Sequence, residues 1–410
     1  MARSIRRSPD VPVASQTSAC DDSRHVLPNR VHRSLVSTQV GPQTPEPRRT
    51  LFEHASALHR QTPDQPLARN GEPFPDEQVH RVAPRPKPPK DRERAGLDVA
   101  DVLAGHFADA HAQPAELAWA FHGLYVSIHP NGHIDAVAES ADRERVMETG
   151  RWLVRNGTDR CAVTVGLAVL GAVGIEAGDI PLVQTIGLLS ECFGSLAARA
   201  LERVDGGAQA LIWLADRVAG WGRLYVVEAL CRLREPTTYR WLLTRAVDGD
   251  FLNGYFVGKV AVTGGLHAAV AQFDTDPELV DAVGRLLYVM SGDEGMGMTL
   301  RRYPHCGVVL AAHSRAFAGL APTSARIQAA AIVARYLGRR NPANVAASAA
   351  WDEARAAYLA LLRREDWMAA AGAAMAGNDK RMLWIAENIA PELGLPWMRS
   401  LPGRVSRTSS

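Results

Sequence analysis

Lysine is nearly missing from this chain. Of 46 Lys+Arg, only Lys87, Lys90, Lys259 and Lys380 are lysine. Arginine in that excess, together with abundant alanine, reads as the codon habit of a GC-rich bacterial genome before it reads as chemistry. Cysteine is also scarce: Cys20, Cys161, Cys192, Cys231 and Cys306 are odd in number, widely spaced and contain no CxxC pair. That excludes a disulfide framework and a zinc knuckle. Four of the five sit among apolar residues, where a free cysteine acts as a small hydrophobe. A reducing, cytoplasmic setting is therefore expected. Long apolar runs are absent too. The longest, Cys161 to Ile175, contains Thr164 and three glycines and falls short of the ~20 residues that span a bilayer. It reads as a buried helix, so no membrane insertion is expected. The arginines after Met1 are not followed by the apolar stretch of a secretory signal.

What is present is divided unevenly. Before residue 96 lie 14 of the 25 prolines and 16 Lys+Arg against 11 Asp+Glu, while the remainder carries 30 against 33. The net +2 thus combines a basic leader with a slightly acidic body. Residues 1–95 are expected to be a disordered Pro/Arg/Ser-rich tail, because such composition buries too little apolar surface to offset chain entropy. A short helix over 51–60 and a stiff, polyproline-like linker over 81–90 are the exceptions expected within it. Some of the first 50 residues are expected to reflect a mis-assigned start codon, which a mass spectrum of the native N-terminus would test.

From Leu97 onward the apolar spacing is helical. Amphipathic helices are expected from Leu97 to Phe107 and from Pro114 to Phe121, and a turn at His129-Pro130-Asn131-Gly132. A repeat then emerges. Gly166-Leu167-Ala168-Val169-Leu170, Ala198-Arg199-Ala200-Leu201, Val227-Glu228-Ala229-Leu230 and Gly258-Lys259-Val260-Ala261 each end a helix on small and apolar residues. Aligning Leu170, Leu201, Leu230 and Val260 gives steps of 31, 29 and 30. Between them lie the second apolar stretches Ile180-Pro181-Leu182-Val183, Leu211-Ile212-Trp213-Leu214 and Tyr239-Arg240-Trp241-Leu242-Leu243. Two helices per ~30 residues are the mark of a helical solenoid, in which each hairpin needs its neighbour to bury its apolar face.

The stretch from Gly150 to about Val262 resembles degenerate HEAT or armadillo repeats, through these Ala-Leu endings and the Asp179-Ile180-Pro181-Leu182 entry. The whole chain resembles bacterial helical-repeat proteins without an assigned activity. The resemblance implies an all-α fold, an α-solenoid of stacked hairpins, and a scaffolding or recognition role. Residues 96–290 are expected to form the repeat domain and 299–400 to continue or cap it. The clear later helices are expected at 278–290, 308–320, 324–337 and 345–362, with weaker ones at 364–376 and 379–389.

No motif carries catalysis on its own. Gly254 to Val260 is one residue short of a phosphate loop and lacks its hydroxyl. The loop from Met290 to Met298 is glycine-rich and expected to be a surface connection. His106, His111, His122, His129 and His133 crowd 28 residues, yet His129 and His133 straddle Pro130 and Gly132, and no HExxH occurs, so no metal or cofactor is expected. Asp248-Gly249-Asp250-Phe251-Leu252-Asn253 is ordinary turn chemistry. The preferred expectation is a non-enzymatic module that holds an unknown protein or peptide, through Trp221, Arg223, Tyr225, Asp250, Asn253 and Lys259. Trp, Tyr and Arg dominate binding hot spots. The alternative is an α/α-toroid-like hydrolase with Asp248 or Asp250 as acid/base, which should show a deep acidic pocket. Without a basic stripe, specific nucleic-acid binding is not expected.

Overall fold

A computed structural model describes residues 49–292, 295–343 and 348–397. The expectation of disorder over residues 1–48 lies outside the described residues. Regular structure among the described residues is entirely helical. Helices α1 (Leu51–Gln61) and α2 (Glu77–Val82) precede α3 (Leu97–Ala108), α4 (Gly132–Ser140) and α5 (Arg143–Asn156). Long and short helices then alternate: α6 (Arg160–Val173), α7 (Ile180–Gly187), α8 (Ser190–Glu202), α9 (Gly207–Ala215), α10 (Gly220–Leu233), α11 (Tyr239–Arg245) and α12 (Asn253–Thr263). After the single turn α13 (Leu266–Ala269) come α14 (Pro277–Met290), α15 (Cys306–Ala318), α16 (Ser324–Arg339), α17 (Ser348–Leu362), α18 (Glu365–Ala376) and α19 (Lys380–Asn388). No helix among the described residues is long and apolar enough to cross a membrane.

Short polar side chains start many of these helices by accepting first-turn amides. Asp142, Asp159, Asp276, Thr323 and Asp379 cap α5, α6, α14, α16 and α19. Pro181 and Pro277 occupy first turns, where a missing N–H is harmless. The sequence repeat maps onto the alternation. Leu170, Leu201, Leu230 and Val260 lie on α6, α8, α10 and α12, and all four are fully buried. The long helices α6, α8, α10, α12, α14 and α16 pack each against the next, while α7, α9 and α11 pair with α8, α10 and α12. Between α8 and α10 the approach needs glycine: a Cβ on Gly222 would lie 2.2 Å from Ser190 Cβ, and one on Gly194 would lie 3.3 Å from Gly222 Cα.

Two expectations require correction. The tail does not extend to residue 95, because α1 packs on α5 and α7 and buries Leu51 and Ala55, with Leu67 and Phe74 joining the same core. Its proline content conceals a few well-spaced anchors. The stretch after Pro114 is not an α-helix. Pro114–Leu117 is a 3-10 turn, followed by bonds from Ala120 N to Leu117 O and His122 N to Trp119 O. A segment this short does not repay helix nucleation and tightens into successive i→i+3 turns around buried Leu117 and Phe121. Beyond these corrections, α14 packs on both α12 and α16, and one apolar core runs from Leu51 to Trp397. The six helices expected beyond Pro277 are all present, although 345–347 lie outside the described residues. The turn at Pro130 is a helix start, where the Asn131 side chain accepts from His133 N and Ile134 N.

Candidate functional site

The outward stripe of the long helices carries the aromatic residues singled out above. Trp221 and Tyr225, one turn apart on α10, stack at 6.3 Å between ring centres, and Tyr255 of α12 lies 5.7 Å from Trp221. His129, from the loop before α4, meets the Tyr225 ring edge-on at 5.4 Å. All three aromatics of the stripe are half-buried. Ion pairs cross between neighbouring helices beside them. Arg232 on α10 holds Glu202 on α8 at 2.7 Å, and Lys259 on α12 holds Glu228 on α10. These cation–acid separations are 30 and 31 residues, the same step as the repeat. A cleft of about 740 Å³ between α8 and α10, lined by His129, Arg199, Glu202, Tyr225, Glu228 and Arg232, is therefore charged but largely paired.

The remaining predicted contact residues serve the fold. Arg223 is buried, donating to the carbonyls of Ala215, Arg245 and Ala246, with Asp248 Oδ2 at 3.4 Å. It closes the ends of α9 and α11 and is withdrawn from the stripe that Trp221 and Tyr225 form. Asn253 is buried as well: its Oδ1 accepts from Asp248 N at 3.1 Å, and its Nδ2 donates to Asp248 Oδ1 at 2.8 Å and to the Asp250 carbonyl. Asp250 Oδ1 accepts from Leu252 N at 2.8 Å. Both carboxylates are thus engaged in the turn before α12. Among the described residues no deep acid-lined pocket surrounds them.

They border something else. A groove of about 1020 Å³ runs from the 247–251 turn past α14 and the 295–299 loop to α16 and α19. Three of its side chains are aromatic and exposed: Phe251 at 75%, Tyr288 at 44% and Trp384 at 51%. Such exposure is unusual for side chains of this size, and here it converges on one place. Among the described lining residues six are cations (Arg285, Arg335, Arg339, Arg340, Lys380 and Arg381) against Asp248 and Asp250. Glu392 neutralises Arg335 at 2.9 Å and also pairs with Arg339, and both arginines hold its carboxyl below the usual range, Arg339 first. The side chains of Arg340, Lys380 and Arg381 have no partner among the described residues and are exposed. Met296 and Met298 of the loop rest on Gly254 and Gly258 of α12, where a Cβ would intrude at 3.3 and 2.3 Å. The glycines that resemble a phosphate loop are thus packing contacts for that loop.

A second polar cluster lies elsewhere, under α2 and at the start of α6. Asp159 is fully buried; its Oδ1 caps α6 by accepting from Cys161 N at 2.6 Å, and its Oδ2 lies 2.6 Å from His122 Nδ1. Asp76 receives Arg160 through its backbone N and through Nη2, both at 2.7 Å. Between the two acids stands His80, whose side chain is 8% exposed. Desolvation holds its pKa below the usual value, against the opposing pull of Asp76. Burial pushes the Cys161 thiol up to about 12, which removes the thiolate that nucleophilic chemistry needs. The donor atoms of His80, Asp159 and Cys161 lie within 4.8 Å of one another.

Sequence reasoning missed Phe251, Tyr288, Trp384 and the three free cations, because they come from segments up to 133 residues apart. The only local signals were an aromatic on the polar side of α14 and another on α19. No protein-family model matches the chain, and no curated protein or solved structure matches it.

Proposed function

We propose that the row of long helices is an α-solenoid of the HEAT/armadillo kind. We further propose that the protein is a non-enzymatic binding module, whose groove between α14, α16 and α19 holds an acidic segment of a partner protein with an aromatic or aliphatic anchor. The observation that carries this reading is the convergence of exposed Phe251, Tyr288 and Trp384 with unpartnered Arg340, Lys380 and Arg381 on one groove. Aromatic side chains give contact area at small entropic loss, and cations left free supply steering and register. The stripe of Trp221, Tyr225 and Tyr255 extends the recognition surface along α10 and α12, with Lys259 and Asp250 at its margins. Arg223 and Asn253 support it from beneath.

The test is fluorescence polarisation with labelled Asp/Glu-rich peptides, with and without a central Trp or Leu. Anchored acidic peptides should bind best, and binding should weaken as salt rises. Reversing the free charges (Arg340→Glu, Lys380→Glu, Arg381→Glu together) should abolish it while leaving thermal unfolding unchanged. Equal binding of basic peptides, tighter binding of a labelled single-stranded oligonucleotide, or indifference to the charge reversal would sink the proposal.

A further inference from the structure

His80 sits in an arrangement that hydrogen bonding does not explain. Its Nε2 lies 3.3 Å from Asp76 Oδ2 and 3.4 Å from Asp159 Oδ2, yet it is hydrogen-bonded to neither, and Nδ1 also lacks a partner. Buried polar atoms without partners are rare and call for an explanation. Here two carboxylates, an imidazole and a thiol converge, and the buried ring nitrogen is turned toward the acids without bonding to them.

We propose that His80, Asp159 and Cys161, completed by Asp76, bind a divalent transition metal ion, with zinc the best fit. The spacing fits first. Two nitrogen or oxygen ligands at zinc bond lengths and tetrahedral angles lie about 3.3 Å apart, which is the separation of His80 Nε2 from each acid. The Cys161 sulfur is within 4.8 Å of the His80 and Asp159 donors, and Asp76, outside that group, reaches the ion through the Oδ2 it sets beside His80. The donor chemistry fits next. A mixed imidazole, carboxylate and thiolate set selects zinc over magnesium or calcium, which take oxygen alone.

The surroundings are those of a supported site. Metal-binding carboxylates are themselves held by outer hydrogen bonds. His122 holds Asp159 at 2.6 Å, and Arg160 holds Asp76 through three nitrogens. Charge balances as well. Asp76, Asp159 and a Cys161 thiolate bring three negative charges, which a divalent ion reduces to one. Glu77, 3.0 Å from Arg160, adds a second, and Arg160 and Arg85 offset both. When the ion binds, the Cys161 S–H proton leaves to solvent and the Sγ–metal bond forms in its place; no oxidation is involved. All four donors come from the protein, which marks a structural site. It would fasten the 76–80 segment, and with it the chain before α3, to the start of α6. This inference is independent of the groove.

Co²⁺ serves as the probe, added to the full-length protein after dialysis against a chelator. One Co²⁺ per chain is expected, with a thiolate-to-cobalt charge-transfer band and the intense visible bands of tetrahedral geometry. Zn²⁺ should displace it. Cys161→Ser should lose the charge-transfer band, whereas Cys231→Ser should keep it. His122→Gln should weaken binding roughly 10–100-fold by loosening Asp159. Should Cys161→Ser fail to fold, wild-type protein competing with a chromophoric chelator for Zn²⁺ decides the matter. Retention of the band in Cys161→Ser, or no stoichiometric uptake of either ion by the wild type, overturns the proposal.

Discussion

At the scale of single residues, burial decides roles that residue type leaves open. Arg223 and Trp221 are two positions apart, yet Arg223 is buried against three carbonyls while Trp221 stays half-exposed. Replacing Arg223 with Met is expected to lower unfolding free energy by about 3 kcal/mol, because the carbonyls of Ala215, Arg245 and Ala246 lose their donor in the interior. Trp221→Ala should cost less stability and more binding, which urea unfolding and peptide titration would separate. His313 provides a second residue-scale test. It is enclosed between Tyr358 Oη at 2.7 Å and the Val280 carbonyl at 3.1 Å. Nε2 must donate to that carbonyl, so Nδ1 accepts from Tyr358. Desolvation lowers its pKa from 6.5 to about 4. The unfolded chain therefore takes up a proton that the folded one refuses between these values. Its contribution to stability is complete above pH 6.5 and is lost as pH falls toward 4, about 3 kcal/mol in all. Urea unfolding across that range should show a slope shallower by about one proton in His313→Gln.

Among the elements, the packing of successive long helices rests on small residues and recurring ion pairs. Gly222 lets α10 approach Ser190 at the start of α8. Gly222→Ala should force the helices apart and cost about 1–3 kcal/mol. Ser190→Gly in the same chain should restore part of that loss, since it removes the atoms the new methyl would strike. Differential scanning calorimetry of the two single variants and the double variant reads the coupling directly. The Arg232–Glu202 and Lys259–Glu228 pairs are more exposed, and each contributes little to stability. Their value is register: the cation of one long helix finds the acid of the long helix before it.

Taken whole, the molecule depends on its N-terminal segment more than the composition suggests. A chain beginning at Gly96 would lack α1 and uncover the α5 and α7 surfaces on which Leu51 and Ala55 are buried. It should unfold at lower temperature and bind ANS, whereas a chain beginning at Arg49 should do neither. The same segment supplies Asp76 and His80 to the cluster at α6, so the shorter chain should also lose its metal.

Helix positions were readable from the sequence because they follow from local rules. Apolar spacing, Asp and Thr caps and prolines in first turns place α14, α16, α18 and α19 within a few residues. The ~30-residue step of Leu170, Leu201, Leu230 and Val260 placed the alternation of long and short helices. Tertiary structure alone decided what lies beside what. It buried Arg223 and Asn253, drew residues 49–95 into the core, and gathered Phe251, Tyr288 and Trp384 into one groove. It also joined His80, His122, Asp159 and Cys161, which single-segment spacing could not pair. Local pattern fixes where a chain turns helical, because those energies arise within a few residues; a site is a sum over distant segments, and only packing performs that sum.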